Sequence, residues 1–154
     1  MQKEMPVIKD CMTFIPYRVE SGDSVVKAKE LMRQHHVRHL PVMTDNRVVG
    51  VISDRNVKEA LMAKNGDKFL VKEIMTPEPY AVTWDTPLDT VLAEMADEKY
   101  GCVIVEDKVK RAVGIFTTSD ACRAFKELLE VSCGMPTSDE VFVSHGLAGV
   151  SIPR

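Results

Sequence analysis

Met12-Thr13-Phe14-Ile15-Pro16-Tyr17-Arg18-Val19 and Met75-Thr76-Pro77-Glu78-Pro79-Tyr80-Ala81-Val82 lie over one another with Met, Thr, Pro, Tyr and Val in step. Five agreements in eight positions at one constant offset mark an internal repeat, and a repeat dictates the architecture. The correspondence runs on through Asp23-Ser24-Val25 over Asp85-Thr86-Pro87-Leu88, which opens a helix in each copy. In the second copy Thr86 reads as N-cap, Pro87 as first helical residue and Asp89 as the acidic residue of the first turn. Val25, Ala28, Leu31, Met32 and Leu88, Val91, Leu92, Met95, Ala96 recur at spacings of three and four, which is one buried helical face.

Each helix leads into two short β-rich runs joined by a polar turn. These are Leu40–Met43 to Val48–Ile52, and Cys102–Val105 to Ala112–Phe116. The copies differ in length at the turns, Thr44–Arg47 and Glu106–Arg111, as suits a surface hairpin. Each copy closes on a second helix, expected over Asn56–Ala63 and Asp120–Val131, with Val57, Ala60, Leu61 and Cys122, Phe125, Leu128, Leu129 turned inward.

The expected fold class is therefore α/β, two β-α-β-β-α units related by a pseudo-twofold, with small mixed sheets flanked by helices. One unit leaves a sheet face uncovered, and two bury those faces in one core. The first repeat is expected over residues 7–64. Linker and second repeat follow over 65–131, with Asn65-Gly66-Asp67-Lys68 ending the first copy and Lys72-Glu73-Ile74 leading into the second. Residues 132–154 form a tail outside the repeat, whose only strand-like run is Val141-Phe142-Val143.

Of the 154 residues, 45% are hydrophobic and 28% charged, an ordinary globular composition. There is no stretch long enough for a bilayer and no apolar signal segment near Met1, so the expected location is cytoplasmic, with no membrane partner. A net charge of -3 supplies no positive field for nucleic acid. Cys11, Cys102, Cys122 and Cys133 are dispersed without any C-x-x-C and read as reduced, mostly buried thiols. There is no nucleophile elbow, Walker loop, G-x-G-x-x-G or H-E-x-x-H, so no catalysis is expected.

Gly50-Val51-Ile52-Ser53-Asp54-Arg55-Asn56 and Gly114-Ile115-Phe116-Thr117-Thr118-Ser119-Asp120 each carry a strand into a helix through Gly, two apolar residues, Ser or Thr, two more residues and Asp or Asn. With Met-Thr before each copy, this doubled pattern over about residues 7–131 resembles the cystathionine-β-synthase (CBS) domain family. The resemblance implies a regulatory homodimer that binds AMP, ADP, ATP or S-adenosylmethionine in clefts between repeats, passes the signal to an effector protein, and requires no catalytic cofactor.

It also implies which residues bind. Asp120 would take the ribose hydroxyls, since hydrogen bonds to a carboxylate are about twice as strong as neutral ones. Thr117 and Ser119, at the same helix start, would meet phosphate. Ser53 and Asn56 are their counterparts in the first copy, where a neutral amide makes a weaker ribose site. Thr13 and Thr76 would flank the adenine, each in the cleft whose ribose residue belongs to the other copy. Arg38 and His39 would face phosphate, with Tyr100-Gly101 in their place in the second copy.

Plainer readings stand beside these. Asp120 and Asn56 also suit a helix start for capping alone. His35, His36 and His39 have the spacing of a metal site but straddle a helix end. Tyr17 and Tyr80 recur with the repeat as packing residues, and most of the nine methionines sit at core-like positions. Lys58-Glu59 and Glu94–Lys99 read as solvated faces. The alternatives to a ligand sensor are a ligand-independent dimerisation module, a metal binder at the His cluster, or a nucleic-acid binder along Arg33, Arg38 and Arg47.

Overall fold

A computed structural model describes residues 4–14, 17–109 and 111–134. The expected strand at Val141-Phe142-Val143 lies outside the described residues. The first repeat comprises β1 (Thr13–Phe14), β2 (Val19–Glu20), α1 (Val25–His35), β3 (His39–Thr44), β4 (Arg47–Ser53) and α2 (Asp54–Met62). The second comprises α3 (Val71–Ile74), β5 (Thr76–Pro77), β6 (Ala81–Thr83), α4 (Leu88–Glu98), β7 (Cys102–Glu106), β8 (Ala112–Thr117) and α5 (Thr118–Ser132). Among these described residues no helix is long and apolar enough to cross a membrane.

The two sheets are mixed, in the orders β2-β3-β4-β5 and β1-β8-β7-β6. In each, a parallel strand and an antiparallel hairpin come from one repeat, and the fourth strand comes from the other. β1 runs antiparallel to β8 with Phe14 opposite Gly114, and β5 runs antiparallel to β4 with Pro77 opposite Gly50. Both crossings depend on glycine. A Cβ at Gly114 would stand 2.2 Å from Met12 Sδ, and one at Gly50 would stand 2.5 Å from Met75 Sδ and 2.9 Å from the Thr76 carbonyl oxygen.

The leads exchange in the same way. Ile8, at the start of the first repeat, is fully buried in the core of the second, with Val91, Val103, Val105 and Phe116. Val71, the first residue of α3 at the start of the second, is fully buried in the core of the first, with Val25, Leu40, Val42, Ile52 and Val57. The Ile8 amide donates to the Thr86 carbonyl (2.9 Å) and the Val71 amide to the Asp23 carbonyl (2.8 Å). The single shared core expected from the sequence is thus two cores, each completed by a segment of the other repeat. Hydrophobic faces are covered locally by α1 and α2, or α4 and α5, and the exchange ties the halves together.

Capping explains where the helices begin. Ser53 and Thr117 are the N-caps of α2 and α5, so Asn56 and Asp120 are third helical residues and not the first ones expected. Ser24 caps α1, its hydroxyl accepting from the Lys27 amide at 3.1 Å. For α4 the cap is Pro87 and not Thr86, because an antiparallel bridge to Val7 holds Pro87 extended with ψ 138°. His36 and Lys99 close α1 and α4 in the left-handed region (φ 53° and 59°), turning the chain sharply into β3 and β7.

The first hairpin turns on Asp45-Asn46, both at positive φ, the geometry that matches strand twist. The longer second hairpin is pinned by Asp107, a buried carboxylate that sequence reading passed over. It accepts from the amides of Val109 and Arg111 and from Arg111 Nε at 2.8–2.9 Å.

Several burial expectations fail. Phe125, Leu128, Leu129 and Cys122 of α5 are exposed, whereas Val57 and Ala60 of α2 are buried and Leu61 packs against the first core. α5 turns Ala121 and Ala124 to its sheet, and the larger residues form an outward stripe. Of the four free thiols only Cys102 is buried, and its pKa is pushed up to about 11 by burial; Cys133 is exposed like Cys122. Met32, Met43 and Met95 are core residues, but Met62 is 87% exposed.

Candidate functional site: two clefts between the repeats

The strand-to-helix junctions of the two repeats face one another across the pseudo-twofold, and a cleft opens beside each. The Asp120 cleft, about 200 Å³, is lined by Thr13 of β1, Ile115 and Thr117 of β8, Thr118–Asp120 and Arg123 of α5, and residues 36–39 of the first repeat. The Asn56 cleft, about 700 Å³, is lined by Ser53, Asp54, Arg55, Asn56, Glu59, Thr76, Lys99 and Gly101, among others. Arg38, His39 and Thr118 line both, forming the ridge between them.

Asp120 is only 5% exposed. Its Oδ2 accepts from the Thr117 amide (2.8 Å) and hydroxyl (2.7 Å), which closes a capping box. Its Oδ1 accepts from Arg123 Nη1 (2.9 Å) and from the Thr13 hydroxyl (3.3 Å). The capping role is therefore real, yet it uses one oxygen; the other faces the cleft and is held by groups from both repeats. A hydroxyl-bearing ligand entering here would find an acceptor already desolvated and oriented, with the weak Thr13 contact the easiest to replace.

Asn56 repeats the box with an amide. Its Oδ1 accepts from the Ser53 amide (3.0 Å) and hydroxyl (2.6 Å). Three residues on, where the second repeat has Arg123, the first has Glu59, which is paired with Arg55 at 2.8 Å rather than with Asn56. The first junction thus keeps the fold of the second without its buried negative charge.

All nine residues singled out from the sequence line the clefts, in two sets. Asp120, Thr117, Ser119 and Thr13 surround one; Ser53, Asn56 and Thr76 the other; Arg38 and His39 serve both. Thr13 and Thr76 sit opposite the other repeat's junction because β1 and β5 cross over. Arg38 is exposed, and its Nη2 donates to Ser119 Oγ at 3.3 Å. His39 is half-buried; burial first, then the adjacent Arg38 charge, lower its pKa below 6.5 against a smaller opposing pull from Asp54. It is neutral at pH 7.

The register corrects one correspondence. Arg38 and His39 are matched by Gly101 and Cys102, not Tyr100-Gly101, since the Asp54 and Thr118 amides donate to the carbonyls of Arg38 and Gly101 respectively. Tyr100 instead stacks on Tyr80 (centroids 5.2 Å apart), and Tyr17 stacks on His35 (3.6 Å), so both repeated tyrosines have structural partners. Sequence reading passes over Arg123 and assigns Glu59 and Lys99 to solvated faces, whereas all three line the clefts. The first two lie one helical turn past Asp120 and Asn56, a spacing that places them on the same face, while Lys99 enters only through the left-handed turn after α4.

The CBS domain model matches the chain at residues 8–63 and 71–127. The chain is 31% identical over 126 residues to the L-aspartate semialdehyde sulfurtransferase of Methanocaldococcus jannaschii, covering 81% of this chain and 24% of that protein. It is 32% identical over 114 residues to the inosine-5'-monophosphate dehydrogenase of Korarchaeum cryptofilum, covering 74% and 22%. It thus spans about a quarter of the length of these relatives. Among solved structures, the CBS domain pair of protein MJ0100, in complex with 5'-methylthioadenosine and S-adenosyl-L-methionine, superposes with a TM-score of 0.73 at 29% identity, covering 80% of this chain and 98% of that one. CBSX2 in complex with AMP gives 0.69 at 28% identity, covering 79% and 97%.

Proposed function

Because the chain belongs to the CBS-domain family, as a tandem pair, we propose that it is a regulatory module whose Asp120 cleft binds an adenosine-containing ligand. The observation that carries this is the buried Asp120 carboxylate, held at the mouth of an inter-repeat cleft with one oxygen turned toward it. A charge-assisted hydrogen bond from a ribose hydroxyl suits that oxygen in place of the weak Thr13 contact, and Thr117, Ser119 and the start of α5 lie where a phosphate would follow. Related pairs solved with AMP or with S-adenosylmethionine and 5'-methylthioadenosine support the ligand class. The Asn56 cleft, lacking the charge, is the weaker ribose site.

The module works by differential affinity. A ligand that bridges β1 of one repeat and α5 of the other stabilises one relative placement of the halves, and shifts the equilibrium only by as much as it prefers that placement. The protein acts as a homodimer in this reading. Its support is the outward stripe of Cys122, Phe125, Leu128 and Leu129 on α5, an apolar face of the kind that self-complementary twofold contacts cover. No reaction is assigned to the clefts.

A thermal-shift screen against AMP, ADP, ATP, S-adenosylmethionine, 5'-methylthioadenosine and NAD tests the binding reading, since a ligand that prefers the folded state raises its melting temperature. The expected result is a rise with at least one adenosyl compound that is lost in Asp120→Asn. No rise with any of them leaves the α5 stripe as the main functional feature and favours a ligand-independent dimerisation module. Light scattering decides the oligomer: a monomer at micromolar concentration removes the dimer.

A further inference from the structure

Arg38 lines both clefts, and the pseudo-twofold gives it no partner. Its counterpart is Gly101, which has no side chain to offer. In the Asp120 cleft Arg123 is tied to Asp120 at 2.9 Å, so Arg38 is the one lining Lys or Arg that pairs with no carboxylate among the described residues. In the Asn56 cleft Arg55 is tied to Glu59, which leaves Arg38 and Lys99. The bond from Arg38 Nη2 to Ser119 Oγ leans the guanidinium toward the Asp120 side. His39, the other residue of the ridge that lines both clefts, is neutral and adds no charge there.

We propose that Arg38 is an anion-binding group shared by the two clefts, so that a phosphorylated adenosine ligand held in one weakens the binding of a second in the other. This rests on the reading of the clefts as adenosine sites. A guanidinium binds phosphate best as a bidentate fork, and a fork engaged by one phosphate cannot offer the same geometry to another. The second ligand therefore meets Lys99 alone together with the negative charge of the first. By linkage the penalty is mutual, whichever cleft fills first. The charge is also selective: the shared guanidinium favours a phosphate-bearing ligand over uncharged adenosine and over a sulfonium.

Isothermal titration of the full chain with AMP and with adenosine, which shares base and sugar but lacks the charge, separates the possibilities. The wild type is expected to bind AMP in two steps, the second weaker by about tenfold more than any difference adenosine shows, within the ordinary range of coupling energies. Arg38→Gln should bring the first AMP step down toward adenosine affinity, lowering AMP binding by a much larger factor than adenosine binding. Gly101→Arg should close the gap by supplying the missing second guanidinium. The position accepts a side chain, since a Cβ there would lie 3.5 Å from His39 Nε2, an ordinary contact. One AMP per chain in the wild type is the limiting form of the coupling, and Gly101→Arg should then restore the second.

An AMP affinity unmoved by Arg38→Gln, an equal gap for adenosine and AMP, or a gap that persists in Gly101→Arg would each overturn the shared role while leaving the clefts as adenosine sites. Binding of neither compound by any of the three proteins would overturn both.

Discussion

The Asp120 and Asn56 clefts come from the same backbone plan and differ in what the side chains at equivalent points carry. Both junctions are N-capped by a hydroxyl, both close a capping box through the third helical residue, and both receive a crossing strand over a glycine. Yet Asp120 with Arg123 stands opposite Asn56 with Glu59, and Gly101 opposite Arg38. An amide and a carboxylate satisfy a capping box equally well, because the box needs only an acceptor. The backbone therefore tolerates the exchange and the chemistry of the cleft changes. Fold symmetry and site asymmetry are compatible because they draw on different atoms of the same residue.

The largest effect expected within this comparison is on the cores. Phe116→Ala should cost about 3–5 kcal/mol and Ile52→Ala, at the equivalent point of the other core, about 2–5 kcal/mol. Because each core borrows Ile8 or Val71 from the other repeat, both variants should still unfold in one transition by chemical denaturation. Two separated transitions in either would show that the halves are independent and that the exchange of leads is energetically minor.

Next comes the charge at the junction. Asp120→Asn keeps the cap acceptor and removes the charge, and should weaken the adenosyl ligand by roughly 1.5–3 kcal/mol, ten- to hundredfold, the usual worth of a hydrogen bond to an ionised group. Asn56→Asp should strengthen the other cleft. Asp120→Ala is a poorer probe, since it breaks the capping box as well. Equal losses from Asp120→Asn and Asn56→Ala in titration calorimetry would contradict the asymmetry.

The crossings rank third. Gly50→Ala should cost about 1–3 kcal/mol of overpacking, because its Cβ meets the Thr76 backbone as well as a thioether. Gly114→Ala should cost less, because the Met12 side chain alone must yield. Thermal melts of the two variants check the order, and the reverse order would mean that the β1 crossing is the more rigid.

The smallest effect is a pH dependence from the ridge. His39 has its folded pKa below the ordinary 6.5, so between the two values the unfolded chain binds more protons than the native one. The contribution is present above pH 6.5 and lost as pH falls below it. The melting temperature should decline between pH 7.5 and 5.5 with a slope that His39→Gln reduces. An unchanged slope in that variant would assign the decline to other groups.

Much of this is legible in the sequence. The Met-Thr leads, the apolar spacing of α1 and α4 and the Gly-to-Asp junctions give two copies of one α/β unit, and the family they resemble implies cleft positions for Asp120, Thr117 and Asn56, all of which line the clefts. What failed has particular causes. Cys122, Phe125, Leu128 and Leu129 have the spacing of an inward helical face, but periodicity fixes which residues share a face and not what covers it; in α5 the small Ala121 and Ala124 took the inner side. Thr86 has the chemistry of an N-cap, but the bridge to Val7 holds Pro87 extended and moves the cap there. Arg123 carries no signal in the sequence, because its meaning depends on the carboxylate it faces.

The sequence by itself determined the duplication, the fold class and the chemical difference between Asp120 and Asn56, since repeat, periodicity and capping are local properties of the chain. Only the tertiary structure decided that each repeat's lead enters the other's core and that Arg38 stands on a ridge common to both clefts. Those placements follow from β1 and β5 crossing between sheets. Strand partners far apart in the chain are chosen by how buried faces and backbone hydrogen bonds are satisfied together, and no local pattern of residues encodes that choice.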